Sequence, residues 1–174
     1  EKMRILNINK SRIKFDDVLK DYERPIYHYI RRMVVDHDDT ADIMQETFLK
    51  VYQGLGNLRD EKALKSWVYK IATNEALRFL SRRREELLSV IDENELLLGR
   101  LTEGEYVDYD DKMAVDFQKA LLSLSEQQRL VFNMRYYDEL SYDEISDITG
   151  CSVGTLKVQY HNAKERIKNY MLNE

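Results

Sequence analysis

The stretch LSYDEISDITGCSVGTLKVQYHNAKERIKNY, residues 140–170, decides the fold because it encodes two helices separated by a tight turn. Ser141 and Glu144 form an S-x-x-E capping box, which predicts the start of the first helix. Gly150 ends that helix, because glycine adopts the left-handed backbone conformation at little cost. Ser152 then predicts the N-cap of a second, longer helix. The stretch is therefore predicted to be a helix-turn-helix.

The second helix of this stretch has two distinct faces. Apolar residues at three- and four-residue spacing predict the buried face. They are Val153, Leu156, Tyr160, Ala163 and Ile167. The opposite face is mostly polar and cationic, with Lys157, Val158, His161, Asn162 and Lys164. Such a face suits DNA binding, although the spacing alone also allows an ordinary αα-hairpin with solvated charges.

Composition limits the class of protein. Charged residues make up 34% of the 174 residues, and no apolar run approaches the roughly 20 residues of a membrane span. Cys151 is the one cysteine, so the chain forms no internal disulfide and is expected in a reducing compartment. Strand-like alternation is absent, which predicts an all-α fold. No Gly-rich phosphate loop, H-E-x-x-H motif or paired Cys/His spacing appears, so we expect no enzyme activity, cofactor or metal.

Charge is distributed unevenly along the chain. The total is -5, but residues 1–84 carry +5, residues 85–111 carry -9 and residues 112–174 carry -1. This distribution predicts two small helical domains, 1–84 and 112–174, joined by a flexible acidic linker at 85–111. The linker has no sustained period, apart from a short helix expected at 87–98.

The first domain is predicted to contain three helices. The first runs over residues 15–35, with a kink or restart before Pro25. The second runs from Thr40 to about Gln53 with Asp39 as its N-cap, and its core side is predicted to include Met44, Phe48, Val51 and Tyr52. Its outer side is acidic but includes one apolar residue, as at the centre of a small protein interface. The outer residues are Asp42, Gln45, Glu46, Leu49 and Gln53.

The third helix, residues 63–84, carries a cationic stripe. Its members recur every four residues and are Lys70, Asn74, Arg78 and Arg82. Cations beside an exposed aromatic such as Tyr69 suit phosphate contacts and base stacking. Favourable charge at a helix C-terminus accounts for the last arginines but not for the whole stripe.

In order and spacing, three segments of the chain resemble the signature blocks of a bacterial extracytoplasmic-function (group IV) RNA polymerase sigma factor of the sigma-70 family. The segments are DTADIMQETFLKVY at 39–52, SWVYKIATNEALRFL at 66–80 and LSYDEISDITGCSVGTLKVQYHNAKERI at 140–167. The resemblance implies a factor that binds core polymerase, recognises −35 and −10 promoter elements and promotes initiation. Domain 1–84 corresponds to sigma region 2 and domain 112–174 to sigma region 4.

The resemblance also implies roles for individual residues. In the family, the D-x-x-Q-E helix docks on the polymerase β′ subunit, which here means Asp42, Gln45 and Glu46 with Leu49 beside them. The −10 element is read as single-stranded DNA by a loop and the helix after it. The corresponding residues are Asn57, Leu58, Arg59, Lys65, Lys70, Asn74 and Arg78, and Trp67 is expected to pack in the core.

The second helix of the helix-turn-helix is implied to read the −35 element in the major groove. Lys157, Val158, His161 and Asn162, with Lys164, face base edges, and Ser152 and Thr155 contact phosphate. Many relatives carry Ser-Arg where this chain has Val158 and Gln159, and Arg in place of Asn162 and Lys164. Fewer guanidinium groups predict fewer bidentate guanine contacts, so the −35 preference is expected to differ from that of relatives.

The implied partners are the β′ and β subunits of core RNA polymerase, promoter DNA and an anti-sigma factor. The protein is expected in the cytoplasm, with no membrane insertion of its own, although an anti-sigma factor can hold it at the inner membrane face. The linker is either threaded toward the polymerase active-site channel or a solubilising spacer. The sequence also allows two other functions: a stand-alone helix-turn-helix regulator, which leaves the acidic helix and the cationic stripe unexplained, and a helical adaptor that binds only protein.

Overall fold

The structure, a computed structural model, describes residues 13–87 and 112–173, and every regular element in these two ranges is a helix. We call 13–87 the N-terminal lobe and 112–173 the C-terminal lobe. The N-terminal lobe contains α1 (Phe15–Val34), α2 (His37–Gly54) and α3 (Leu64–Leu87). The C-terminal lobe contains α4 (Lys112–Leu122), α5 (Glu126–Phe132), a π-helical turn (Asn133–Tyr137), α6 (Tyr142–Thr149) and α7 (Val153–Asn173). Within the described ranges, no helix combines the length and apolar character needed to cross a membrane.

Helix α1 passes through Pro25 without interruption, so the predicted restart is wrong, and the alternative of a kink stays a prediction. Proline removes the hydrogen bond to the carbonyl four residues earlier, here that of Asp21. Both Pro25 and Asp21 are exposed, so water can satisfy that carbonyl. The buried side of the helix, including Ile26 and Ile30, packs against α2 and α3 and holds the element together.

The start of α2 differs from the prediction. The N-cap is Asp36, whose side chain accepts a hydrogen bond of 3.0 Å from the backbone N–H of Asp39. The predicted cap, Asp39, lies inside the helix and forms an ion pair of 2.8 Å with Arg83 of α3. Capping by Asp36 lengthens α2 by one turn and leaves Asp39 free to tie α2 to α3.

Two short 3₁₀ turns, Leu55–Asn57 and Glu61–Ala63, connect α2 to α3. The indole of Trp67 packs across the end of α2, where a Cβ atom at Gly54 would lie only 2.8 Å from Trp67 Cζ2. Trp67 also borders the main hydrophobic cluster. The expectation that Trp67 packs in the core is therefore confirmed.

The helix-turn-helix has the predicted local geometry. Capping boxes are present at Ser125 with Gln128 and at Ser141 with Glu144. Gly150 has a φ of 75°, in the left-handed region. The Ser152 hydroxyl accepts a hydrogen bond of 3.2 Å from the Thr155 N–H and so caps α7.

The two lobes share one hydrophobic cluster. It contains Val68 and Ala72 of α3 together with Met134, Leu140 and Ile145 of the C-terminal lobe, because α3 packs against α6. The division into domains at 84 and 112 stays a prediction, and α3 continues to Leu87. Of the acidic linker predicted at 85–111, residues 85–87 belong to α3, and residues 88–111, with all but the first residue of the short helix predicted at 87–98, lie outside the described residues.

Candidate functional site

The acidic side of α2 is exposed as predicted. Asp42, Gln45 and Glu46 are all open to solvent, and Leu49 is 49% exposed. Tyr52 was predicted to pack inward, which is wrong, because its side chain is 64% exposed. Its ring meets only the edge of the core, in a T-shaped contact with Phe15 at 5.2 Å between centroids. Leu49 and Tyr52 thus form an apolar surface next to the three acceptor side chains.

The cationic stripe of α3 is also exposed, and two of its members, Arg78 and Arg82, line a groove between α2 and α3. Lys70, Asn74, Arg78 and Arg82 are all open to solvent. The groove between α2 and α3 has a volume of about 940 Å³. Its lining includes the predicted polymerase-binding residues Asp42, Gln45 and Glu46 and the predicted DNA-binding residue Arg78.

Ion pairs hold the two walls of the groove at a fixed distance. Glu75, which is buried, accepts hydrogen bonds from Lys50 of α2 and from Arg78 at 3.4 Å. The pair of Asp39 with Arg83 joins the other end of the two helices. These contacts occupy Asp39, Lys50, Glu75 and Arg83, whereas Asp42 and Glu46 are exposed and form no ion pair with other residues of the described ranges.

The loop before α3 presents the remaining −10 candidates in two different ways. Asn57 and Arg59 are exposed, whereas Leu58 is half-buried against the hydrophobic cluster. Lys65 does not join the cationic stripe. Its Nζ lies 3.4 Å from Glu144 Oε1 of the C-terminal lobe. The structure therefore brings Lys70, Asn74 and Arg78 together but places Lys65 on a different side of α3.

Tyr69 was predicted to be an exposed stacking aromatic, which is wrong. Its side chain is 3% exposed, and its ring meets Tyr29 in a T-shaped contact at 5.2 Å. The Tyr69 hydroxyl donates a hydrogen bond of 3.1 Å to Asp138 Oδ1 in the C-terminal lobe. Burial, together with the nearby Asp138 carboxylate, raises the pKa of Tyr69 far above its usual value of 10.0, so the phenol stays protonated.

The outer face of α7 is open as predicted. Five candidate residues are exposed along it, and Val158 is 57% exposed. They are Lys157, Val158, His161, Asn162 and Lys164. Two of the lysines lie over aromatic rings, Lys157 over Tyr142 at 5.8 Å and Lys164 over Tyr160 at 4.8 Å. Cation–π contacts of this kind restrict the lysine side chains without neutralising them.

The N-terminus of α7 and the turn before it are held by hydroxyl groups. Ser152 and Thr155 are exposed, and their hydroxyls share a hydrogen bond of 2.8 Å. In the turn, the Ser146 hydroxyl donates a bond of 2.7 Å to the Cys151 carbonyl. The Cys151 side chain is half-buried and lies 3.6 Å from Gln127 Nε2. These contacts give Cys151 a structural place in the turn.

A polar cluster between the lobes was missed by sequence reasoning. Arg32 of α1 pairs with Asp138 at 2.6 Å, and its guanidinium lies 4.6 Å from the centre of the Tyr137 ring. Burial raises the pKa of Asp138 above its usual 3.8, although the Arg32 charge opposes the shift. A cavity of about 420 Å³ borders this cluster and also reaches Lys65 and Tyr69. No local pattern signals a pair between residues 32 and 138.

Within the described ranges, no three His, Cys, Asp or Glu side chains are grouped so that they could hold a metal ion. The surfaces above are faces with exposed charge and hydrogen-bonding groups. They present acceptors on α2, cations on α3 and both polar and apolar groups on α7.

Comparison with known proteins agrees with this arrangement. The family described as Sigma-70 region 2 matches residues 18–86, and the family described as Sigma-70, region 4 matches residues 114–167. The RNA polymerase sigma-H factor of Pseudomonas aeruginosa is 29% identical over 88% of this chain and 83% of its own length. The ECF RNA polymerase sigma-E factor of Escherichia coli is 29% identical over 89% of this chain and 85% of its own.

A solved structure has the same fold. The sigma factor RpoE of Bartonella quintana, in complex with the anti-sigma factor NepR, superposes with a TM-score of 0.70 at 23% identity, covering 90% of this chain and 96% of that chain. The two region matches are in family order and together cover well over half of the chain. The chain therefore belongs to the sigma-70 family of RNA polymerase sigma factors, within its extracytoplasmic-function group.

Proposed function

We propose that this alternative sigma factor binds core RNA polymerase through the exposed side of α2 and positions the enzyme on promoters through two DNA-binding surfaces. Asp42, Gln45 and Glu46 offer acceptors to a basic partner surface, and Leu49 supplies apolar contact. Tyr52, next to Leu49, enlarges that apolar contact. Charge complementarity of this kind raises the rate at which the two proteins associate and fixes the register in which they bind.

The −10 element is proposed to bind the exposed side of α3 that carries Lys70, Asn74 and Arg78, together with the loop at Asn57, Leu58 and Arg59. Cations follow a sugar–phosphate backbone, and an amide side chain can bond to an unpaired base edge. Removing a base from the stack costs a few kcal/mol. A surface that binds the unpaired base therefore helps opening by trapping a strand already separated by thermal motion.

The −35 element is proposed to bind the exposed face of α7. Lys157, Val158, His161 and Asn162 are placed to face base edges in the major groove, with Lys164 beside them. Ser152 and Thr155 lie at the N-terminus of the helix, where backbone N–H groups favour phosphate. Val158 offers a thymine methyl an apolar contact.

The observation that carries the proposal is the groove between α2 and α3, which has free acceptors on one wall and cations on the other. A stand-alone regulator needs only the helix-turn-helix and has no use for such a groove. We also propose an anti-sigma partner, since the similar RpoE was solved with the anti-sigma factor NepR. The protein would act in the cytoplasm, because its proposed partners, RNA polymerase and promoter DNA, are located there.

Pull-down with core RNA polymerase tests the α2 assignment. Substituting Asp42→Lys with Glu46→Lys reverses two exposed charges and is expected to abolish binding. The control is Asp17→Lys with Glu23→Lys, which makes the same charge change on the exposed side of α1. The control should bind as wild type does, and unchanged affinity in the α2 variant would refute the assignment.

A further inference from the structure

Glu75 lies on the buried side of α3, where a charged side chain is costly unless it is paired. Its side chain is 7% exposed and borders the groove between α2 and α3. One carboxylate oxygen accepts a hydrogen bond from Lys50 of α2, and the other accepts a bond of 3.4 Å from Arg78 of α3. Both oxygens therefore have a cationic partner, and one of these partners comes from the helix that carries the proposed polymerase-binding residues.

Lys50 has a second carboxylate nearby on its own helix. Glu46 lies four residues before Lys50 on α2, and this order, glutamate first, is the favourable one for an ion pair on a helix surface. Glu46 is nevertheless exposed and forms no ion pair with any residue of the described ranges. The Lys50 ammonium group thus bonds to the buried Glu75 and not to the exposed Glu46.

The burial of Glu75 explains why Lys50 bonds to it. An exposed pair on a helix surface is weak, because water and salt screen the two charges. A buried carboxylate is screened much less, so leaving Glu75 without a cation would cost more than leaving Glu46 in water. The Lys50 side chain is 35% exposed, so it reaches Glu75 without losing all of its hydration.

We propose, resting on the function above, that Glu75 is a positioning residue for polymerase binding: it holds Lys50 away from Glu46 and so keeps the acceptors on α2 available to a basic partner surface. Without the charge of Glu75, Lys50 is released and pairs with Glu46. That pair neutralises one acceptor and places an ammonium group on the surface that receives the partner's cations. Glu75 is buried in the free chain and acts through Lys50.

The affinity for core RNA polymerase, measured by titrating it into the dye-labelled full-length chain, tests the proposal. Glu75→Gln keeps the size of the side chain and its hydrogen-bonding capacity but removes its charge. We expect this variant to bind polymerase about two- to fivefold more weakly at low salt, the usual size of a single ion-pair effect, with a smaller difference at high salt. Circular dichroism and urea denaturation establish that the variant is folded under the conditions of the titration.

A second substitution separates this role from a structural one. Lys50→Gln in the Glu75→Gln background removes the cation that pairs with Glu46, and polymerase affinity is expected to return to the wild-type value. The control is Arg82→Gln in the same background, which removes an exposed charge that borders the groove but leaves Lys50 in place. Both double variants lack the Glu75 charge, so a folding defect caused by its loss would affect both. Unchanged affinity in Glu75→Gln, no recovery with Lys50→Gln, or equal recovery with Arg82→Gln overturns the proposal.

Nuclear magnetic resonance tests the contact in the wild-type chain without any substitution. It detects scalar coupling through a hydrogen bond between a lysine ammonium nitrogen and a carboxylate carbon. Coupling is expected between Lys50 Nζ and Glu75 Cδ, and coupling to Glu46 Cδ instead, or no coupling, overturns the proposal. If Asp42→Lys with Glu46→Lys binds polymerase as wild type does, the proposed function fails, and the coupling still decides whether Glu75 holds Lys50.

Discussion

Gly54 sits where the Trp67 indole crosses the end of α2. Its backbone is in the right-handed helical region, so alanine meets no conformational penalty there. The obstacle is space, because the added Cβ would lie 2.8 Å from Trp67 Cζ2. We expect Gly54→Ala to lower the free energy of unfolding by about 1–3 kcal/mol through overpacking, measured by urea denaturation.

Gly56 is the matched control for that substitution. A Cβ atom at Gly56 would meet nothing within 4 Å. Gly56→Ala should therefore change the free energy of unfolding by no more than about 0.5 kcal/mol. If both substitutions change the free energy of unfolding equally, contact with Trp67 is not the reason that position 54 requires glycine.

Glu144 links the stability of the helix-turn-helix to pH. Partial burial raises its pKa, but hydrogen bonds from Ser141 and the Lys65 charge outweigh that effect and hold the pKa below 4.5. A lowered pKa stabilises the folded state above pH 4.5, and this contribution is lost as the pH falls through the folded-state pKa. Glu144→Gln keeps an acceptor at the capping position but does not titrate.

We therefore expect wild type to lose more thermal stability than Glu144→Gln when the pH is lowered from above to below 4.5. Other carboxylates titrate in both proteins, so the difference between the two melting curves isolates Glu144. Parallel losses in wild type and variant would mean that the charge of Glu144 does not stabilise the fold.

At the scale of elements, α7 carries the residues proposed to bind the −35 element. Lys157 is exposed on its outer face, and its ammonium group lies 5.8 Å from the centre of the Tyr142 ring. Lys157→Ala should weaken −35 binding without affecting polymerase binding. If the lysine contacts a phosphate, the slope of the logarithm of the binding constant against the logarithm of the salt concentration should become shallower by about 1. If it contacts a base, the preference for one base at a single position of the −35 element should weaken.

Fluorescence anisotropy with −35 duplexes selected from randomised promoters measures both effects. Lys168→Ala, an exposed lysine later on the same helix, provides a control with the same charge change. If the two substitutions weaken binding equally, Lys157 acts only through net charge and its placement at a base edge is wrong.

The helix ends that were predicted correctly from the sequence are those marked by capping residues close to them in the chain. The capping boxes at Ser125 and Ser141 and the left-handed Gly150 depend on residues within one turn, and all three are present. The start of α2 was missed because three aspartates surround it. Asp36 and Asp39 are both good caps, and the ion pair that Asp39 makes with the distant Arg83 was not visible in the local pattern.

The two misplaced tyrosines have different physical causes. Tyr52 lies at helical spacing from buried Phe48, yet the core is already filled by Ile43, Phe48 and Val51. Tyr69 is buried because a partner for its hydroxyl, Asp138, comes from the other lobe. An aromatic hydroxyl can be buried only with such a partner, and helical periodicity contains no information about it.

At the scale of the whole molecule, the fold class and the order of the functional surfaces were predictable. The acidic side of α2, the stripe of α3 and the outer face of α7 are all exposed, because each is a pattern within one helix. The packing of the lobes was not predictable. It depends on pairs such as Arg32 with Asp138 and on a π-helical turn, a rare element with no strong sequence signal.

Run-off transcription with core RNA polymerase and promoter DNA tests the central claim most directly. The account predicts a transcript only when chain, core enzyme and a promoter with both elements are combined, and none with the Asp42→Lys, Glu46→Lys variant. The account is contradicted if the chain alone shifts duplex promoter DNA while core polymerase neither binds it nor initiates, since that is the behaviour of a stand-alone regulator.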